Sequence, residues 1–384
     1  MQDLKAEGGK LRGHITQRTK DKKSWSVIIE LNRVNGKRKQ KWYTVHGTKK
    51  DAEKFLTEKL REFDTGTLVD SKNINVRQFF NYWYEQHCLN KLSPTTYESY
   101  RRNLDNYILE DLGHIKLKDL QPMHLQSFYT NCSKKGLSNK TILYFHRIIH
   151  CALKQAMKWQ FITRNVADCV DAPKPKKYNA MFLNDNQIVD LINAITNTDI
   201  YIPVMIAIAT GMRRGEVLGL TWNNIDLEKG IIKVSQALYP TKNGLVILPP
   251  KTENSIRNIS MPLTLINILK DYKLQQNILK ERLGKNYINN DLVCCTIDGK
   301  PMHPTTFNHK FHNLLEDNNL PLIRFHDLRH SHASLLLKEK VPAKVISERL
   351  GHSNVNITLN LYSHIYDETN MEVANTFDKF LNIG

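Results

Sequence analysis

The spacing of apolar residues changes period along this chain. Near the start they alternate with polar ones: Trp25-Ser-Val-Ile-Ile-Glu-Leu31 and Gln40-Lys-Trp-Tyr-Thr-Val45 read as strands, with Asn35-Gly36 as the hairpin signal between them. After Gly47 the period lengthens, and Thr48 followed by Asp51 predicts a capped helix start. Residues 74 to 169 read as helical throughout. Ser93-Pro94 puts an N-cap before a proline at N1, and Tyr97, Tyr100, Leu104 and Ile108 then recur on one face. Ser138 opens another helix, whose inner stripe is Ile142, Phe145, Ile149, Ala152 and Ala156.

The segment Asp171-Ala-Pro-Lys-Pro-Lys-Lys-Tyr178 joins proline stiffness to like charge, which predicts an extended linker and a domain boundary. Beyond it come a helix near 184 to 196, a buried apolar helix over 200 to 210, and the turn Thr210-Gly-Met-Arg-Arg-Gly-Glu216. Strand-like runs follow at 230 to 237, 244 to 248 and 257 to 261, with helices for most of the remainder. The fold class expected is therefore multidomain and mainly α with small β parts.

Charge narrows the partners. Lysine and arginine exceed acidic residues by 55 to 38, a formal net charge of +17, so an extended polyanion is the natural partner, nucleic acid before membrane. The longest apolar run, Tyr201 to Thr210, is about half a membrane span, and the start lacks the apolar core of a secretory signal. A cytoplasmic protein is expected. The six cysteines show no CxxC pairing and read as free thiols, mostly core.

The charge is concentrated. Between Lys10 and Lys41 there are eleven basic residues against Asp21 and Glu30, with aromatics interleaved. Arg12, Arg18, Lys20, Lys22, Lys23, Trp25, Lys37, Arg38, Lys39, Lys41, Trp42 and Tyr43 are the candidate DNA-binding residues of a small sheet.

A second concentration is Arg324-Phe-His-Asp-Leu-Arg-His-Ser-His332. His326 and His330 have the i, i+4 spacing of zinc peptidases, but aspartate is shorter than the glutamate base of those enzymes and Arg329 would sit beside the cation. A phosphate reading suits it better, because His326 and Arg329 at i and i+3 can lean over one anion. Upstream, Arg213 follows the glycine that closes the apolar helix, with Glu216 placed to orient it. Downstream, a helix ends at Gly351, His352 follows, and Tyr362 comes ten residues later.

Taken in order, T-G-x-R-x-x-E, H-x-x-R and L-G-H followed by Y resemble the boxes of the tyrosine recombinases, the phage-type integrases. The resemblance implies an arm-type DNA-binding domain at 1–70, with a three-stranded sheet plus helix. It implies a helical, SAM-like core-binding domain at 71–172 and a mixed α/β catalytic domain, of the tyrosine recombinase and type IB topoisomerase type, at 173–384. Tyr362 would be the nucleophile, with Tyr366 one turn on as its rival. Arg213 and Arg329 would grip the phosphate, His326 and His352 would bond to it or move protons, and Glu216 would support Arg213. Lys251, in the turn between two strand-like runs, would protonate the leaving oxygen.

Such an enzyme needs no metal, ATP or other cofactor. Its expected partners are double-stranded DNA at core and arm sites, a homo-tetramer on that DNA, an excision or directionality factor and a host DNA-bending protein. The amphipathic tail, 367 to 381, would either cap its own domain or, as the resemblance favours, dock on a neighbouring protomer. The rival readings are a type IB topoisomerase-like relaxing enzyme and a non-catalytic DNA-binding regulator.

Overall fold

The structure is a computed structural model that describes residues 13–18, 21–34, 37–64, 74–175, 181–250 and 255–352, with 354, 355 and 359. Its described residues group into two compact units, one from Met1–Trp83 with Leu104–Pro173, the other from Tyr84–Asn103 with Lys174–Gly384.

In the first unit, strands β1 (Gly13–Arg18), β2 (Asp21–Val34) and β3 (Lys37–His46) form an antiparallel three-stranded sheet. Trp25 pairs with Val45 and Val27 with Tyr43. Val27 and Ile29 are buried, and helix α1 (Lys49–Asp64) covers this face, with Phe55 set edge-on to Tyr43 at 5.5 Å. The helix starts where the sequence predicts. Thr48 N donates to Asp51 Oδ2 at 2.8 Å and Asp51 N donates back to Thr48 Oγ1 at 3.3 Å, a reciprocal cap.

The helical part of this unit contains α2 (Val76–Trp83), α5 (Leu109–Asp111), α6 (Pro122–Lys134) and α7 (Asn139–Lys158), while α3 (Leu89–Lys91) and α4 (Pro94–Asn103), which lie between α2 and α5 in the chain, belong to the second unit. Wider π-helical turns occupy Tyr84–Cys88 and Leu104–Ile108. Leu104 and Ile108 are buried, whereas Tyr97 and Tyr100 are half-buried. Ser138 caps α7 by accepting from Thr141 N at 3.2 Å. The expected stripe of Ile142, Phe145, Ile149, Ala152 and Ala156 is 0 % exposed. Phe145 packs against Tyr107 at 5.0 Å and Phe128 at 6.0 Å between ring centroids.

The second unit places α9 (Tyr201–Thr210), after α8 (Asp185–Ile195), at the centre of its core. Pro203 lies in the first turn of α9, where it removes no intrahelical hydrogen bond. Around α9 stand Leu191, Ile232, Leu269, Phe307, Phe311 and Phe325. Short helix α10 (Arg214–Leu218) leads to an antiparallel sheet of β4 (Ile225–Asp226), β5 (Ile231–Val234) and β8 (Arg257–Ser260). A separate hairpin pairs β6 (Ala237–Thr241) with β7 (Gly244–Leu248). Helices α11 (Leu263–Leu283), α12 (Pro304–Asp317), α13 (Asp327–Lys338) and α14 (Ala343–Leu350) complete it.

Two sequence expectations are corrected. The strand-like run 230 to 237 is divided between two sheets, because Ser235 Oγ donates to Asn224 Oδ1 at 3.0 Å and Gln236 Nε2 donates to Gly219 O at 2.8 Å. Those side-chain bonds draw the chain aside between β5 and β6. The cysteines are free but not mostly core: Cys88, Cys132 and Cys294 are buried, Cys295 is half-buried, and Cys151 and Cys169 are exposed. Cys151 precedes the buried Ala152 on α7 and so falls off its inner stripe. Residues 171 to 175 of the expected linker carry no regular structure, and 176 to 178 lie outside the described residues. Among the described residues, no helix is long and apolar enough to cross a membrane.

Candidate active site

Helix α9 ends at Gly211, whose φ is +68°. Only glycine fits this left-handed position, since a Cβ there would lie 2.5 Å from Leu350 Cδ2 and 2.8 Å from His332 Cδ2. Two residues later Arg213 caps α10. Glu216 accepts from Arg213 N at 2.9 Å and from Arg213 Nη1 at 2.8 Å.

This carboxylate, 4 % exposed, has a second guanidinium partner. Arg257, on β8, donates from Nη2 to Glu216 Oε2 at 2.9 Å and from Nη1 to Oε1 at 3.3 Å. Burial alone would raise the Glu216 pKa. The hydrogen bonds and charges of Arg257 and Arg213 outweigh burial and hold the carboxyl below its usual range. Glu216 therefore stays ionised with two arginines fixed to it.

Helices α13 and α14 bring the other boxes to the same place. Arg329, 2 % exposed, donates from Nη1 to the Gly211 carbonyl at 2.9 Å. Arg213 Nη2 donates to the Gly351 carbonyl at 2.9 Å. Gly351, with φ +68°, ends α14 and turns the chain into His352. Burial, and then the nearby charges of Arg329 and Arg213, lower the His352 pKa to about 3. His326 precedes α13 with an exposed outer edge. Its pKa is also pushed down, to about 4, by loss of water around the inner side of the ring and then by His330 and Arg329. The rings of His326 and His330 meet edge to face, with centroids 5.4 Å apart.

The carboxylate of Asp327 is engaged elsewhere. It accepts from Arg324 N at 2.9 Å and from Arg324 Nη2 at 2.7 Å, which turns the zinc-peptidase-like spacing into an ion pair at a helix start. Among the described residues, no group of three or more His, Cys, Asp or Glu is placed to hold a metal ion.

His332 faces the interior. Its Nδ1–H donates to the Ile208 carbonyl at 2.8 Å, and Nε2 accepts from Arg349 Nε at 3.1 Å. Burial and Arg349 lower its pKa to about 4, which keeps the acceptor nitrogen unprotonated. Arg349 also donates from Nη2 to Ala209 O at 3.0 Å and from Nη1 to Ser260 O at 3.2 Å. The end of α9, the sheet and α14 are thereby fastened together.

The structure thus brings Arg213, Glu216, His326, Arg329 and His352 into one neighbourhood, which suits an oxyanion: two guanidiniums for its oxygens and imidazoles for its edge. Lys251, Tyr362 and the rival Tyr366 lie outside the described residues, as does the tail from 367 to 381. Sequence reasoning missed Arg257, His332 and Arg349. Glu216 among Val217 and Leu218 was a signal, since a buried carboxylate needs compensating charge. Nothing local identifies a partner 41 positions away.

In the N-terminal sheet, Arg12 and Lys20 lie outside the described residues, and so do the side chains of Arg18, Lys22, Lys23, Lys37, Arg38, Lys39 and Lys41. Of the three aromatics, Trp42 is 62 % exposed. Tyr43 packs on Phe55, and Trp25 is half-buried, donating from Nε1 to Gly47 O at 3.2 Å.

Comparison with known proteins identifies relatives of the chain in sequence and in fold. Residues 181–369 match the phage integrase family, 75–133 its N-terminal SAM-like domain, and 15–62 an arm DNA-binding domain. A tyrosine recombinase XerC-like protein of Caldanaerobacter subterraneus is 27% identical over 93% of this chain and 96% of its own length. The ICEBs1 integrase of Bacillus subtilis is 26% identical over 88% and 92%. In fold, the chain is similar to the Tn1549 transposon integrase in complex with transposon right end DNA, with a TM-score of 0.67 at 23% identity over 79% of this chain and 99% of that one. It is similar also to a lambda integrase dimer bound to a COC' core site, with a TM-score of 0.56 at 16% identity over 93% and 96%. With its three family matches in integrase order, and the T-G-x-R-x-x-E, H-x-x-R and L-G-H boxes folded together, the chain belongs to the phage integrase family of tyrosine recombinases, the site-specific DNA transesterases of mobile elements.

Proposed function

We propose that this chain integrates and excises a mobile element through a 3′-phosphotyrosine formed on Tyr362, without metal or ATP. The phenol oxygen of Tyr362 bonds to phosphorus as the phosphorus–O5′ bond breaks. The phenol gives up its proton, and Lys251 supplies one to the departing oxygen. Arg213 and Arg329 stabilise the charge that builds on the non-bridging oxygens, and Glu216 orients Arg213. His326 and His352, largely neutral at pH 7, hydrogen-bond to the phosphate or pass protons. Resealing reverses the step with a 5′-hydroxyl of another strand, so the phosphate bond is conserved and no nucleotide is consumed.

The observation that supports this most is the pair of long-range bonds from Arg329 to Gly211 O and from Arg213 to Gly351 O, which join three boxes distant in sequence. Tyr362→Phe is expected to abolish covalent adducts on a suicide substrate carrying a core site, while DNA binding persists. Adducts surviving that change would remove Tyr362 from the role. Wild-type adducts should form equally in EDTA; a strict divalent-ion requirement would overturn the metal-free scheme.

The domain plan proposed is arm binding by 1–70, core-site binding by 71–172 and catalysis by 173–384, on duplex DNA in the bacterial nucleoid. The working form is a homo-tetramer, aided by a directionality factor and a host DNA-bending protein. Truncation of residues 1–70 should leave core-site cleavage and impair full integration, and intact integration by the truncated protein would defeat the arm assignment.

A further inference from the structure

Arg257 has no part in the scheme above, yet its side chain makes four hydrogen bonds beside the site. We propose that Arg257 is a positioning residue for strand cleavage, holding the Arg213 guanidinium and the Gly351-His352 turn in register; this rests on the reading of Arg213 and His352 just given. Its side chain is 7 % exposed, so it acts through protein neighbours. Nη1 and Nη2 clasp the two oxygens of Glu216 at 3.3 and 2.9 Å, while Nε donates to Arg349 O at 2.8 Å. Nη1 also reaches Ser255 O at 3.1 Å.

These bonds close a ring. From β8, Arg257 holds Glu216, Glu216 holds Arg213, and Arg213 holds Gly351 O. Arg257 also grips the same turn directly, two residues earlier, at Arg349 O. The end of α14 is therefore gripped twice by arginines that share one carboxylate. Contact is close enough that a Cβ on Gly351 would lie 3.0 Å from Arg257 Cδ. A planar guanidinium can serve a carboxylate and a carbonyl on different edges at once; a lysine ammonium is a single point and cannot span both. Lysine at 257 would keep the charge that Glu216 needs and lose the second grip.

The test is Arg257→Lys, assayed by suicide-substrate cleavage, core-site DNA affinity and thermal melting. A displacement of about 1 Å at a reacting group costs about 10²-fold in rate, so cleavage should slow by about that factor. DNA affinity should stay within about twofold and melting should remain cooperative. A second substrate with sulfur at the 5′-bridging position, a leaving group that needs no proton, separates two routes. If Arg257 acts through Arg213 and His352, the defect persists on the sulfur substrate. If it acts through Ser255 on the Lys251 loop, sulfur restores the rate and the proposal falls. Wild-type cleavage by Arg257→Lys also overturns it, as does a loss of melting cooperativity or of DNA affinity in step with cleavage. Failure of the wild-type chain to form any adduct would instead strike the function proposed above.

Discussion

The inner stripe of α7 and the Glu216–Arg257 pair are both almost free of solvent, but different forces hold them. Phe145, Ile149 and their neighbours are 0 % exposed, and their attraction is spread over area, about 1.5–3 kcal/mol for a large apolar side chain. It has little direction, so a neighbour can repack and recover part of it. Around Glu216 the contacts are few and directed. Two guanidiniums meet one carboxylate, and each arginine also reaches a backbone carbonyl of the α14 end. Such a cluster adds little net stability over an apolar equivalent, but losing one member strands charge in the interior. Packing makes the fold durable; the charged ring sets where the reacting groups stand.

The severest way to break this comparison is Glu216→Ala. It strands Arg257 and releases Arg213, so cleavage of a suicide substrate should fall by about 10²-fold or more and unfolding free energy in urea by about 3–5 kcal/mol. Cleavage at the wild-type rate would mean that the ring does not position Arg213. Phe145→Ala should cost a similar amount of stability, about 3–5 kcal/mol, measured the same way. The folded fraction, saturated with DNA, should nevertheless cleave normally. A catalytic defect there would erase the distinction between packing and positioning.

Acid should also separate the two regions. His332 and His352 have pKa values of about 4 and about 3, below the ordinary histidine value of about 6.5. The unfolded chain thus takes up protons first as pH falls, so the stability linked to these rings is fully present above about 6.5 and is lost on the way down toward about 4. Melting temperature should drop over that window. His332→Gln, which can donate and accept without titrating, should flatten the slope; an unchanged slope would mean that this ring is not the sensor. The smallest effect belongs to the helical region alone: Ser138→Ala removes the α7 cap and should lower stability by about 1 kcal/mol, with cleavage untouched.

The same contrast explains what was legible in the chain. Caps at Thr48 and Ser138 and the α7 stripe depend on residues three or four apart, so local spacing reveals them. The Arg213–Glu216 pair is local and was visible for that reason. Arg257 meets Glu216 across 41 positions and Arg349 across 92, distances at which no periodicity carries a signal. The bonds of His332 to Ile208, 124 positions away, and to Arg349 likewise need the folded chain to be seen. The break between β5 and β6 escaped notice because Ser235 and Gln236 are compatible with a strand until their side-chain partners are known.

Arg329 and Arg213 are both moored to carbonyl oxygens, at Gly211 and Gly351, and a carbonyl oxygen is common to every amino acid. Side chains around these moorings can therefore be exchanged without altering the chemical identity of what the arginines hold. Vulnerability shifts to a missing atom: at Gly211 even one methyl group would press on Leu350 and His332. Redesign of this region therefore has to keep those two backbone positions bare, together with the Glu216 and Arg257 side chains that hold Arg213 in place.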